Sequence, residues 1–206
     1  MQEQVIRNNP PKFIFRPKNE EKSDLITNDY LKNMPRDEFL RYELIGGEII
    51  VSTAPRYIHQ LMVTWIVGVF LDYLKENPAG EILPPPDLIF SDFDGVIPDL
   101  IFITHERRDE ILNEEDGKFH GAPEIVVEIL SPGRANARRD LQIKRELYEM
   151  YEVEEYWVVN PFDKEVSVFK RDKSKLKQAK IYKGDEELAT KVLTNFKLNI
   201  KKLFEN

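Results

Sequence analysis

The clearest pattern in this chain is a set of short apolar runs with alternating character, separated by turn residues and followed by amphipathic stretches of helical period. "TNDYLKNMP" predicts a short helix with Thr27 as N-cap and Pro35 as its stop. "RYELIGGEIIVSTAP" reads as a hairpin across Gly46 and Gly47. A two-residue loop there pairs Ile45 with Glu48 and Glu43 with Ile50, so both acids share one face. Residues 59–76, "HQLMVTWIVGVFLDYLKE", form the strongest helix candidate, ended by Asn77-Pro78.

"GEILPPPDLIFSDFDGVIPDLIFITHE" predicts two extended segments around an acidic turn, the second running from Val96 to Thr104. Residues 105–120 read as polar loop with at most a helical turn. "PEIVVEILSP" is dense enough in apolar residues for a strand buried on both faces. A turn at "SPGRA", a helix over about 136–151 and a strand at "EEYWVVNP" follow. Strand, helix and strand in this order make a βαβ-like unit around a partly parallel sheet. "KEVSVFKRDKSKLKQAKIYKG" adds an antiparallel hairpin, and "FKLNIKKLF" closes the chain. Residues 1–24 read as an irregular arm and 25–206 as one domain, a size that supports a single well-buried core.

Composition narrows the class. With 33% charged and 41% hydrophobic residues the chain is ordinary for a soluble globular protein, and no uninterrupted apolar run approaches the length of about 18 residues expected of a membrane span. The absence of cysteine excludes disulfides and thiolate catalysis and fits a cytoplasmic location, as does a start without the pattern of a secretory signal. A formal charge of −7 argues against coating nucleic acid by bulk positive charge, but leaves room for a local basic patch. "RANARRDLQIKR" is such a patch, whereas the following "ELYEMYEVEE" is wholly acidic among its charges. "KRDKSKLKQAK" is a second basic run, most simply a solvated hairpin.

Candidate chemistry rests on charges placed where apolar residues belong. Asp99 shares a side-chain parity with Ile97 and Ile101, and Glu128 shares one with Val126 and Leu130. Buried carboxylates are costly unless paired, hydrogen-bonded or bound to metal, so two near the ends of neighbouring strands point to a metal site or an acid/base pair. On the following helix Lys144 falls within the apolar arc of Leu141, Ile143, Leu147 and Tyr148. It either snorkels to solvent or takes an anionic partner. Arg138, Arg139 and Arg145 lie on the opposite side, where a polynucleotide backbone could dock. His59 is a core histidine, a helix-start residue or a site contributor. Glu43 and Glu48 mark either a wet hairpin face or an approach to the same site, and Asp92 and Asp94 look like turn residues. No two histidines have ligand spacing, which disfavours zinc, and there is no phosphate-binding loop, dinucleotide fingerprint or serine elbow. No small organic cofactor is expected.

The ordered set "YELIGGEIIVSTAP…HQ", "VIPDLIFI", "PEIVVEILSP" and "RRDLQIKRELYEMYEVEEYWVVNP" resembles the Uma-two family of restriction endonucleases, within the PD-(D/E)XK nuclease superfamily. The resemblance spans roughly residues 25–200. It implies an α/β, restriction-endonuclease-like fold with a central mixed β-sheet flanked by helices, Mg²⁺-dependent cleavage of DNA (Mn²⁺ substituting) and a tendency to homodimerise. By motif correspondence Asp99 and Glu128 are the metal-binding acids, joined by the Ile129 carbonyl. Lys144 resembles the helix lysine, while Glu48 and His59 match upstream polar positions. In the superfamily's usual acid-any-lysine motif a lysine would stand at 130, where this chain has Leu130. Lys144 would have to fill that role from the helix. The alternative is a catalytically inactive nucleic-acid-binding or interaction module on the same fold.

Overall fold

A computed structural model describes residues 25–35, 37–132 and 139–205. The arm expected over 1–24 and most of the turn after Ser131, with the side chains of Arg138 and Arg139, lie outside the described residues.

Two sheets form. The first contains β1 (Leu40–Ile45), β2 (Glu48–Thr53), β4 (Leu88–Ser91), β5 (Asp94–Val96), β7 (Leu112–Asn113) and β8 (Lys118–Phe119), in the order β2-β1-β5-β4-β8-β7. The second contains β3 (Gly80–Leu83), β6 (Leu100–Thr104), β9 (Ile125–Ile129), β10 (Glu155–Asn160), β11 (Glu165–Asp172) and β12 (Lys175–Lys183), in the order β12-β11-β10-β9-β6-β3. It is mixed: β9 and β10 are parallel, as the strand-helix-strand order predicts, and its other pairs are antiparallel. The helices are α1 (Asn28–Asn33), α2 (Tyr57–Glu76), α3 (His105–Ile111), α4 (Arg145–Met150) and α5 (Ile200–Glu205). A small ladder joins β13 (Glu187–Leu188) to β14 (Leu198–Asn199).

The hairpin register is the predicted one, Ile45 to Glu48 and Glu43 to Ile50. Gly46 and Gly47 make its turn at φ +60° and +76°, the left-handed conformations that a two-residue loop needs. Residues 105–111 differ from expectation. They are helical because Thr104 caps the segment, its hydroxyl accepting from the Arg107 amide.

The second difference matters more. The extended segment expected from Val96 to Thr104 is two strands, interrupted at 97–99. Pro98 has no amide to give a ladder, and the Ile97 amide donates to the Glu43 carboxylate instead, at 2.9 Å. β5 pairs with β1 in the first sheet, and β6 pairs with β9 in the second. Residues 97–99 therefore carry the chain from one sheet to the other.

Alternation along the second sheet divides the core. Leu100, Phe102, Ile125, Val127, Ile129 and Trp157 pack with Met62, Ile66 and Phe70 of α2. Ile101, Ile103, Val126, Leu130, Tyr156 and Val158 face the other way, onto Ile143, Leu147, Tyr148 and the first sheet. Glu128 has the parity of Val126 and Leu130, so it points into the seam between the sheets.

Candidate functional site

One small polar cavity of about 50 Å³ opens where the two sheets meet, lined by Arg41, Glu43, Ser52, Thr53, Pro55, His59, Ile97, Asp99, Glu128, Ile129, Ser131 and Lys144. It has room for a few waters or a phosphate-sized group, well under the several hundred Å³ of a typical organic-ligand pocket. Asp99, Glu128, Lys144, His59 and Ile129, predicted from dispersed positions, come together here. Glu48 does not. It is exposed beside the hairpin turn and is not among the lining residues. Of the two acids on that face, the one farther from the turn, Glu43, is buried in the seam.

Each side chain is held by its neighbours. Asp99 sits at the crossover, where its Oδ2 accepts from His59 Nε2 at 2.9 Å and from the Ile129 amide at 2.8 Å. Burial alone would raise the Asp99 carboxyl. The hydrogen bond and charge of His59, the Ile129 amide and the Lys144 ammonium outweigh it and hold the group below the ordinary carboxylate range. His59 lies on the inner face of α2 with Met62, Ile66 and Phe70, and its second ring nitrogen, Nδ1, is buried without a hydrogen-bond partner among the described residues. The imidazole is thus a donor to Asp99 through Nε2.

Lys144 is 2% exposed, and its ammonium bridges Glu43 Oε1 at 2.9 Å and Glu128 Oε1 at 2.8 Å. It therefore takes anionic partners rather than snorkelling, and it ties β1 of the first sheet to β9 of the second. The backbone that delivers it is a π-helical turn, Arg139–Lys144, running into α4. Such turns widen the helix and shift side-chain directions at functional positions. Tyr148, one turn on, donates its hydroxyl to the same Glu128 oxygen at 2.8 Å. Burial pushes the Glu128 carboxyl up to about 8, against the pull of Lys144 and with the charges of Asp99, Asp140 and Glu43 adding to the rise. The Tyr148 hydroxyl is likewise raised by burial and by Glu128.

Among the described residues the donors to Asp99 fall on Oδ2 and those to Glu128 on Oε1. The Arg41 guanidinium lies 3.8 Å from the other Asp99 oxygen, Oδ1. Among the described residues no three or more His, Asp or Glu side chains gather closely enough to cage a metal ion. The donor set nevertheless fits Mg²⁺, which keeps several waters and binds through one or two carboxylates plus substrate oxygens. Arg41 and Tyr148 had no place in the set expected from sequence, and Glu43 entered it only as one of two hairpin acids that could approach the site.

The family profile described as "Putative restriction endonuclease" matches residues 28–201. Among solved structures, a crystal structure of a "putative nuclease belonging to DUF820" from Anabaena variabilis superposes with a TM-score of 0.71 at 22% identity, covering 87% of this chain and 98% of that one. At that identity it speaks for the fold alone. No curated protein matches. The profile takes in the crossover with Asp99, the strand acid Glu128 and the helix lysine, and the chain belongs to the Uma-two family of putative restriction endonucleases.

Proposed function

We propose that this protein is a metal-dependent endodeoxyribonuclease that hydrolyses phosphodiester bonds. The observation that carries this reading is the Asp99 and Glu128 pair facing one small polar cavity, each taking its donors among the described residues on one oxygen only. Asp99, Glu128 and the Ile129 carbonyl would hold Mg²⁺ or Mn²⁺. When bound, the ion supplies Lewis-acid stabilisation of a phosphoryl oxygen and lowers the pKa of an attacking water. His59 and the Ile129 amide fix the Asp99 carboxylate so that one oxygen faces the cavity. Lys144 holds Glu128 in place and adds positive charge where negative charge develops on phosphorus. The surrounding core keeps the local dielectric low, which strengthens both effects.

A second reading is favoured by the same ammonium. Lys144 is already engaged by two carboxylates, an arrangement that also suits a purely structural clamp in a binding module that cleaves nothing. Nuclease assays with Mg²⁺ and Mn²⁺ on single-stranded, duplex and branched DNA separate the two. Metal-dependent cleavage by the wild type, lost in both D99A and K144A, supports the enzyme. DNA binding without cleavage at any metal concentration refutes it.

The homodimer implied by the family has a candidate surface. Tyr57, Ile58, Trp65 and Leu71 leave an exposed apolar face along α2. An antiparallel partner helix centred on Thr64 sets Tyr57 opposite Leu71 and basic Arg56 opposite acidic Asp72.

A further inference from the structure

We propose that Arg41, with the hydroxyls of Ser52 and Ser131, forms a phosphate-binding subsite at the mouth of the cavity, distinct from the Asp99–Glu128 pair. The inference deepens the nuclease reading and rests on it in taking a DNA backbone phosphate as the occupant.

Placement comes first. Arg41 stands directly across the hairpin from Ser52. Cross-strand partners project to the same face, so Arg41 and Ser52 lie on the face of Glu43, one pleat nearer the open end. Ser131 follows the site strand β9 and reaches the cavity from the second sheet. One cation and two hydroxyl-bearing residues thus rim an opening whose deeper walls carry three acidic side chains.

The guanidinium is not used up by the protein. Its nearest acidic atom, Asp99 Oδ1, is 3.8 Å away, beyond hydrogen-bond length, and its side chain is 39% exposed. Among the described residues it makes no hydrogen bond. An arginine serving as the counter-ion of Asp99 would close on it in the two-pronged geometry such pairs favour. Here the Asp99 carboxylate is held by His59 and the Ile129 amide instead, and the planar fork of Arg41 keeps its donors for an external oxyanion.

Charge gives the subsite its purpose. The carboxylates of Glu43 and Asp99 repel an approaching phosphodiester, and the Lys144 ammonium is sequestered between Glu43 and Glu128. A cation at the rim meets the phosphate before the acids do, and it holds the polymer while the inner pair contacts the scissile group.

The test measures R41A and R41K against wild type. Duplex DNA affinity is measured over a salt series in Ca²⁺, inorganic phosphate binding by titration calorimetry, and Mn²⁺ binding without DNA. Expected for R41A are an affinity for DNA lower by about tenfold and a log–log salt slope shallower by about 0.9, the signature of one lost phosphate contact. Phosphate binding is lost, Mn²⁺ still binds, and R41K recovers part of the DNA affinity. An R41A protein with unchanged DNA affinity, salt slope and phosphate binding overturns the proposal. So does a variant whose only change is a lower melting temperature, which would make Arg41 a structural partner of Asp99. If the wild type binds phosphate through Arg41 but neither binds nor cleaves DNA, the nuclease reading fails and the subsite stands as one for a free phosphate.

Discussion

Replacing Lys144 with methionine tests the joint between the two sheets. Methionine keeps most of the buried stem and removes the ammonium that contacts Glu43 at 2.9 Å and Glu128 at 2.8 Å. Both acids are 3% exposed and cannot recover solvent. Breaking a buried ion pair by deleting one member costs about 3–5 kcal/mol, because the remaining charge stays buried and unpaired. Since Glu128 titrates at about 8, it is largely neutral at pH 7, and the stranded charge is chiefly that of Glu43. K144M should therefore lose about 3–5 kcal/mol, and a domain of this size loses about 2–4 °C of melting temperature per kcal/mol. Adding Glu43→Gln removes the stranded charge and should return a substantial part of the loss. Urea unfolding followed by the fluorescence of buried Trp157 measures both at unchanged m-value. A K144M protein within about 1 kcal/mol of wild type and indifferent to the second change would refute the clamp, since surface substitutions fall in that range.

The raised Glu128 pKa gives a pH dependence with a definite sign. The folded protein holds this proton up to about 8 whereas the unfolded chain releases it near 4.5, so the group's contribution is full below 4.5 and is lost as pH rises through 8. The slope in that window is at most about 1.4 kcal/mol per pH unit, and E128Q should flatten it in unfolding curves taken from pH 5 to 8.5. Mn²⁺ affinity should run the opposite way, rising over the same range with proton release in calorimetry, because the ion needs the carboxylate. A pH-independent affinity would remove Glu128 from the ligand set. If α2 is the dimer face, Leu71→Asp with Trp65→Glu should give a monomer by sedimentation without a fall in melting temperature. An unchanged sedimentation coefficient would place the interface elsewhere.

Much of this architecture was legible because apolar periodicity and turn residues agree. The hairpin register, the long helix and the parallel unit around "PEIVVEILSP" all follow from local pattern. Asp99 and Glu128 stood out because each breaks an apolar run. What stayed hidden is tertiary. Local pattern puts Pro98 inside a strand, yet the Ile97 amide finds its acceptor in Glu43, 54 positions away, and that bond turns a strand into a crossover. Glu43 and Glu48 are equivalent by pleat, and only the packing of the second sheet over one end of the hairpin buries the first and exposes the second. The apolar pattern puts Lys144 on an ideal 3.6-residue helix, whereas its segment is π-helical, a change in winding that no residue pattern announces. Tyr148 looked like any core aromatic, and its hydroxyl acquires a role only once Glu128 is opposite it.

The parallel pairing of β9 with β10 also governs how the chain must be made. Ile125 opposes Glu155, so β9 leaves the ribosome 30 residues before its partner. At about 5–20 residues per second that is a delay of seconds, and β6 covers only one edge of the waiting strand. A bare edge reading Ile-Val-Val-Glu-Ile is a template for pairing with other nascent chains. In that unfolded setting Glu128 is solvated and charged, and it interrupts the apolar run as a gatekeeper against aggregation. The side chain that the folded protein buries beside Lys144 is thus, in the nascent chain, the one charge in an otherwise apolar strand.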